Sequence, residues 1–436
     1  MTVDPLIIGL VLLGGMVLLL AVGAPVSISI ALPSAICMIL VLGWDNGVLT
    51  SAQRMFKGVD SFVLLAIPFF VLAGQIMNNG GIAVRLINFA KVLVGRTPAP
   101  LTQTNVVANM LFGAISGSAV AAAAAVGTTM APMQKKEGYE KAFSAAANVA
   151  SAPAGMLIPP SNTLIVYGLA SGGTSIGALF MAGYIPGILW AAACAVVVAL
   201  YARKHPELRS ARWARPKEIF VAFLQALPSL TLIVVVIGGI VAGKFTPTEG
   251  AAVAVVYSLF LAFCYRAVKI KDLPGILYSA CRTSSVVIFL IGVSSIMGWI
   301  MSFTKIPQLM AESLFGWTDS KVVVLLIMMV LLLIIGIPLD PTPAILIFTP
   351  IFLPIAMSFG IHPVHFGIML VFNLSIAVIS PPSAPVLFVG TQVAGAKLEA
   401  VIVRLMPFFL TLVAMLFVIV FVPELSLWLP RLTGMI

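Results

Sequence analysis

Long apolar runs alternate with short polar connectors along almost the whole chain, and the lengths of those runs carry the first reading. A helix needs about 20 predominantly apolar residues to cross the hydrocarbon core of a bilayer. Ten stretches reach that length, at roughly 5–22, 24–43, 61–79, 141–172, 178–202, 218–241, 247–265, 279–302, 363–392 and 402–423. Two further apolar regions, about 102–133 and 321–358, are interrupted, the first by Ser116-Gly117-Ser118 and the second by Gly336-Ile337-Pro338-Leu339-Asp340-Pro341. Each arm is near 15 residues, too short to cross at about 1.5 Å per residue, so each region is predicted to be a re-entrant hairpin. Mixed apolar and charged spacing at 81–95 and 306–315, just ahead of each hairpin, predicts amphipathic helices along the membrane interface. The run from Leu6 to Val22 follows Asp4 without a basic leader and reads as a retained span rather than a cleaved signal.

Composition agrees with the pattern. The 436 residues are 61% hydrophobic and 9% charged, whereas a soluble domain carries about 25% charged residues. The fold class is therefore an all-α polytopic membrane protein. Net charge is +10, and the basic residues sit in short runs between apolar segments, which favours membrane orientation over nucleic-acid binding. Placing the loop with Arg203, Lys204, Arg209, Arg212, Arg215 and Lys217 in the cytoplasm puts 18 Lys and Arg inside and 6 outside. That imbalance predicts both termini on the outer side. The four cysteines lack CxxC spacing and lie in or beside apolar stretches, which reads as buried free thiols. Three histidines, no HExxH and no phosphate-binding loop leave little for an ATPase or a metalloenzyme.

The two halves repeat at an offset of 222 residues. Pro25 falls on Pro247, Pro132 on Pro354, Gly138 on Gly360, and Gly168 on Gly390. Pro159-Pro160-Ser161 falls on Pro381-Pro382-Ser383, and Ser118 of the first hairpin break falls on Asp340 of the second. Each half then has five spans and one hairpin, and an odd number of spans forces the second half to lie inverted. Inverted repeats with discontinuous helices at mid-membrane are the architecture of secondary transporters.

Four interruptions lie at membrane depth: the two hairpin tips, Ile158–Thr163, and Ser380–Ser383. Backbone groups left unpaired there cost several kcal/mol each, on the order of a desolvated amide, unless protein, water or an ion satisfies them. Each Pro-Pro pair withholds donors and frees carbonyls, with Ser, Thr and Asn oxygens alongside. Such a set suits Na⁺, and exposed helix N-termini suit an anionic substrate. Proline kinks packed against neighbours are the plainer reading, which the duplication disfavours. Asp340 is the ionisable residue that stands out in the breaks, and it either helps hold a cation or caps the helix that starts at Pro341. The scarcity of membrane carboxylates argues against a proton relay or a hydrolase acid pair. Gly138-Tyr139 and Gly360-Ile361 are read as hairpin C-caps, and His362 and His365 as interfacial.

Several segments carry a family resemblance. GAISGSAVAAAAAVG (113–127), KKEGYEKAFSAAANVASAPAGMLIPPSNT (135–163), GKFTPTEGAAVAVVYS (243–258) and GIHPVHFGIMLVFNLSIAVISPPSAPVLF (360–388) resemble the large membrane subunit of TRAP (tripartite ATP-independent periplasmic) transporters. The resemblance runs over essentially the whole chain. It implies membership of a wider ion-transporter superfamily with elevator mechanisms, residence in the bacterial inner membrane, and two partners: a small four-helix membrane subunit and a periplasmic substrate-binding protein. It further implies sodium-coupled import of a small carboxylate, such as a C4-dicarboxylate or a sialic acid, with two or more Na⁺ bound.

By motif, the first sodium site would use Ser116, Gly117, Ser118, Gly155, Pro159, Ser161 and Asn162. The second would use Gly336, Pro338, Asp340, Thr342, Ser380, Pro381 and Ser383. The substrate would meet Ser118, Ser161, Asn162, Thr163, Pro382 and Ser383. Many members carry an Asp shortly after the first tip, where this chain reads Ala121-Ala122-Ala123. The expected division is a mobile unit at 102–172 and 321–392, with a scaffold at 1–101, 173–320 and 393–436. The nearest alternative is a stand-alone sodium–dicarboxylate or citrate symporter of the same fold, working without a binding protein.

Overall fold

The computed structural model describes residues 4–95, 97–208, 215–317, 320–337, 339–381 and 384–436, with side chains at all of these except 207, 311 and 313–317. Helices α1 (Pro5–Ala21), α2 (Val26–Leu42), α3 (Trp44–Val59), α4 (Ala66–Asn79) and α5 (Ile82–Leu93) lead to a hairpin, α6 (Pro100–Ser116) and α7 (Ala119–Lys136). A broken helix follows as α8 (Lys141–Ser151), α9 (Ala154–Leu157) and α10 (Asn162–Ala170), and then the long α11 (Ile176–Lys204). The second half runs through α12 (Pro216–Val241), α13 (Pro247–Cys264), α14 (Leu273–Thr304) and α15 (Ile306–Trp317) to its own hairpin, α16 (Lys321–Gly336) and α17 (Pro341–Ser358). Its broken helix is α18 (Pro363–Ala377) and α19 (Pro385–Ala394), followed by α20 (Leu398–Phe421) and α21 (Glu424–Leu432).

The sequence repeat reappears in hydrogen bonds. Shifting the bounds of α7 by 222 residues gives those of α17. Both hairpins stop at a glycine in the left-handed region, Gly138 at φ 79° and Gly360 at φ 71°. Beyond them, Tyr139 N donates to Gln134 O and Ile361 N to Ala356 O, both at 3.0 Å. These are the expected C-caps, realised as the same six-residue closure. Packing is exchanged between the halves in the same way: α10 lies on α17 and α19 on α7, while α4 lies on α13 and α2 on α14.

Two packing groups emerge. Helices α1 to α4 pack with α12 to α14, whereas the hairpins and broken helices pack with α11, α20 and α21. Helix α11 lies on α6, α9 and α18, and α20 lies on α8 and α18. Helix α5 lies between α12 and α6, and α15 touches both α14 and α17, so each bridges the two groups.

Among the described residues, seven helical segments are long and apolar enough to cross a membrane: Phe62–Asn79, α11, α12, α13, Ile270–Thr304, α17 and α20. Helices α1 and α2 are apolar and 17 residues long. The hairpin arms are longer than the sequence reading allowed, at 17, 18, 16 and 18 residues. An 18-residue arm spans about 27 Å, so length alone does not exclude crossing. Instead, α6 turns back on α7 across a two-residue break and packs along it. The amphipathic helices α3 and α21 were not read from the sequence. Of the cysteines, Cys37 and Cys194 are buried, but Cys264 and Cys281 are exposed on the flanks of α13 and α14, contrary to the expected burial.

Candidate functional site

The first break is built by local backbone chemistry. Helix α6 stops at Ser116 because Gly117 takes φ 62°. Ser118 then adopts an extended conformation and starts α7, its hydroxyl accepting from Ala121 N at 3.3 Å. In the broken helix, the bonds that Gly155 O and Met156 O would receive from residues 159 and 160 are missing, because both are prolines. The Met156 carbonyl is taken instead by two hydroxyls: Ser161 Oγ donates to it, and so does Thr163 Oγ1 at 2.9 Å. Ser161 also caps α10, accepting from Leu164 N at 3.3 Å.

Tip and break then meet. A Cβ placed on Gly113 would lie 2.8 Å from Gly155 Cα, so the two backbones touch. One placed on Gly117 would lie 3.2 Å from Asn162 Nδ2 and 3.5 Å from Pro160 O. On the far side the tip rests against α4, where a Cβ on Gly74 would lie 3.0 Å from Ser116 O. Asn162 Oδ1 is buried here with no hydrogen-bond partner among the described residues. The structure thus brings Gly113 against Gly155 and the Gly117 tip against Asn162 and Pro160, with Ser161 just behind at the start of α10.

The second break is put together differently. Helix α16 ends at Gly336, packed so closely on α18 that a Cβ there would lie 2.9 Å from that of Ala377. Asp340 occupies the position ahead of α17 with extended backbone, φ −66° and ψ 150°, yet its carboxylate makes no capping bond. Of the two readings left open for Asp340, the cap is therefore not realised, and the residue lines a cavity. Ser380 Oγ donates to Ile376 O at 2.8 Å, and α19 starts behind Ala384 without a side-chain cap. Gly336, Asp340, Thr342, Ser380 and Pro381 are described here, whereas Pro338, Pro382 and Ser383 lie outside the described residues.

Both tips open on one cavity of about 910 Å³. Gly117, Ser118, Asn162 and Thr163 line it from the first half, and Asp340 and Thr342 from the second. Ser161, expected at the substrate, is instead fully buried off the cavity wall. The opposite wall is α14, with Tyr278, Ser279, Arg282 and Thr283 facing the cavity. Sequence reasoning missed this wall, although its polar residues recur at helical spacing inside an apolar span. A smaller cavity of about 310 Å³ lies farther along α14, lined by Lys57, Ser61, Ser294 and Ser295.

One other polar feature escaped the sequence reading. Asn109 Nδ2 lies within reach of Asn105 Oδ1 (2.8 Å), Asn148 Oδ1 (3.0 Å) and Ser151 Oγ (2.8 Å), pinning α6 to α8. His365 is buried rather than interfacial, its ring 3.2 Å from Ser426 Oγ and 3.4 Å from Val420 O. His362 precedes α18 and accepts from Val364 N at 3.2 Å.

Comparison with known proteins gives the family. Residues 13–425 match the family described as "Tripartite ATP-independent periplasmic transporter, DctM component". The chain belongs to this TRAP transporter large permease family. It is 52% identical over 97% of both chains to the uncharacterized protein YgiK of Salmonella typhimurium. It is 36% identical to the C4-dicarboxylate TRAP transporter large permease protein DctM of Rhodobacter capsulatus, covering 98% of this chain and 99% of that one. The isethionate TRAP transporter permease protein DctMQ of Oleidesulfovibrio alaskensis is 38% identical over 98% of this chain, which spans 66% of that protein. Among solved structures, the YdaH transporter of Alcanivorax borkumensis superposes with a TM-score of 0.59 at 15% identity, covering 87% of this chain and 89% of that one. The TRAP permease is thus a multi-pass membrane transport component and not an enzyme, and its family implies partners such as a DctQ-type subunit and a periplasmic binding protein.

Proposed function

We propose that this permease imports a small carboxylate by sodium co-transport, with one Na⁺ held at each pairing of a hairpin tip with a helix break. The observation that carries the reading is the first junction. Pro159 withholds the donor that Gly155 O would otherwise receive, Met156 O draws the Ser161 and Thr163 hydroxyls to the break, and the buried Asn162 Oδ1 has no partner among the described residues. Oxygens gathered in this way suit a hard monovalent cation. The second junction offers the Asp340 carboxylate, and the carried anion would sit between the two in the shared cavity.

The reciprocal packing of α10 on α17 and α19 on α7 supports two halves related by inversion. The hairpins and broken helices, joined by α11 and α20, would move as one unit against α1 to α4 and α12 to α14, with α5 and α15 as flexing arms. In this elevator the cytoplasmic side is that of the basic loop near Arg203, both termini face the periplasm, and the membrane is the bacterial inner membrane. The small subunit would widen the fixed group, and the binding protein would deliver the acid. One positive charge moving down about 100 mV releases about 2.3 kcal/mol, so two or more Na⁺ suffice to concentrate an anion.

Relatives at similar identity are named for different substrates, a C4-dicarboxylate at 36% and isethionate at 38%, so identity does not choose the acid. The test is uptake into proteoliposomes holding the permease and its small subunit. Carboxylates are offered with and without a sodium gradient and with and without the binding protein. Uptake that needs both is expected. Uptake independent of sodium would refute the coupling, and uptake without a binding protein would establish the stand-alone symporter.

A further inference from the structure

The geometry points to Arg282 as the cationic contact for the substrate's carboxylate when the shared cavity holds it, an inference that rests on the proposed carboxylate transport. Among the residues lining the cavity, Arg282 is the one cation and Asp340 the one anion. Tyr278, Arg282, Val286 and Phe289 line it at three- to four-residue spacing, so they share one face of α14 turned toward the hairpin tips. Among the described residues, no ion pair or hydrogen bond engages the Arg282 guanidinium. Lys57 in the smaller cavity differs: it is 3.4 Å from Asp60, so that cavity's charge is already balanced.

Depth supports the assignment. Helix α14 has 32 residues, about 48 Å of helix against about 30 Å of hydrocarbon. Arg282 therefore stands near one boundary of the apolar layer, where its charge is tolerated and its planar fork can reach into the cavity. A guanidinium matches a carboxylate with two parallel hydrogen bonds, which an ammonium cannot reproduce. The placement on α14 sets its role in the cycle. Helix α14 packs mainly on α2, α3 and α4 of the fixed group and also meets α17 of the mobile unit, so the contact forms when the mobile unit carries the acid to this position. The basic residues assign this side to the cytoplasm. Arg282 thereby favours the loaded, inward-facing state over the outward-facing one, and it does so without touching either proposed sodium site.

The test uses the complete complex reconstituted with its binding protein outside, which selects one orientation. Uptake of succinate, malate, N-acetylneuraminate and gluconate is measured under a sodium gradient. If wild type moves none of them, the proposed function fails and this inference falls with it. For an acid that is moved, the same acid is then loaded into the lumen and the concentration that halves uptake is recorded. Arg282→Gln should raise that luminal concentration about 10- to 100-fold, the range for losing a charge-assisted bond. Arg282→Lys should fall between Gln and wild type. The external concentration for half-maximal uptake and the sodium dependence should not change, and Lys271→Gln, outside the cavity, should behave as wild type. If Arg282→Gln does not assemble, Arg282→Lys decides. Unchanged luminal inhibition in an assembled variant overturns the inference, because an arginine serving only lipid headgroups would leave that quantity alone.

Discussion

The two junctions occupy matching places in the repeat but solve the same physical problem differently. At the first, hydroxyls satisfy most of what the break exposes: Ser118 and Ser161 cap the helices that follow, and Ser161 with Thr163 takes the freed Met156 carbonyl. At the second, Asp340 stands at the counterpart of Ser118 and makes no side-chain cap, while the counterpart of Ser161, Ser383, lies outside the described residues. Backbone packing differs in the same sense. Gly155 touches Gly113 directly, whereas its counterpart at the 222-residue offset is Ala377, which meets Gly336 across a methyl group. On the proposed sodium binding, the first junction would need little from an ion beyond the last coordination, while the Asp340 carboxylate at the second would take the ion as its partner.

This difference can be broken at its tightest point. Gly155→Ala inserts a methyl group into the Gly113 backbone, where nothing flexible can yield. Overpacking costs about 1–3 kcal/mol or more, so a lower melting temperature and the largest loss of uptake are expected. Unchanged melting would show that the contact is not tight. Asp340→Asn should come next. Removing the charge that a cation would meet is expected to raise the half-saturating sodium concentration about 10-fold or more, as measured by uptake against sodium. Ser161→Ala should raise it less, about 5-fold, in line with one neutral hydrogen bond of about 1 kcal/mol. If Ser161→Ala proved the more harmful of the two, the roles assigned to the junctions would be reversed. Ala377→Gly should be mildest, below the roughly 0.5–1 kcal/mol that a glycine inside a helix costs, because Ala377 is the last residue of α18, read as a small shift in melting with sodium dependence retained.

The breaks were legible in the sequence because their causes are local. Proline pairs withhold donors wherever they lie, glycine after a hairpin closes it, and an offset of 222 residues aligns Gln134 with Ala356 and Tyr139 with Ile361, whose bonds repeat. Partnership between helices was not legible. Helices α11 and α20 are apolar all round, and an apolar face looks the same whether it meets lipid or another helix, so nothing local assigned them to the hairpins. Helix α3 was overlooked because its mixed composition lacks the apolar run of a span. Arg282 was counted for its charge, which sets orientation, while its direction depends on how α14 stands against the tips. The choice for Asp340 between cap and ligand also needed coordinates, since both readings place an Asp before a proline.

The proposal that both junctions hold sodium is met most directly by equilibrium binding of radiolabelled Na⁺ to the purified permease complex, wild type beside Asp340→Asn. Saturable binding that unlabelled sodium displaces and potassium does not is expected in wild type, with Asp340→Asn keeping the first-junction ion and losing the second. No saturable binding in wild type, or an unchanged stoichiometry in Asp340→Asn, would contradict it.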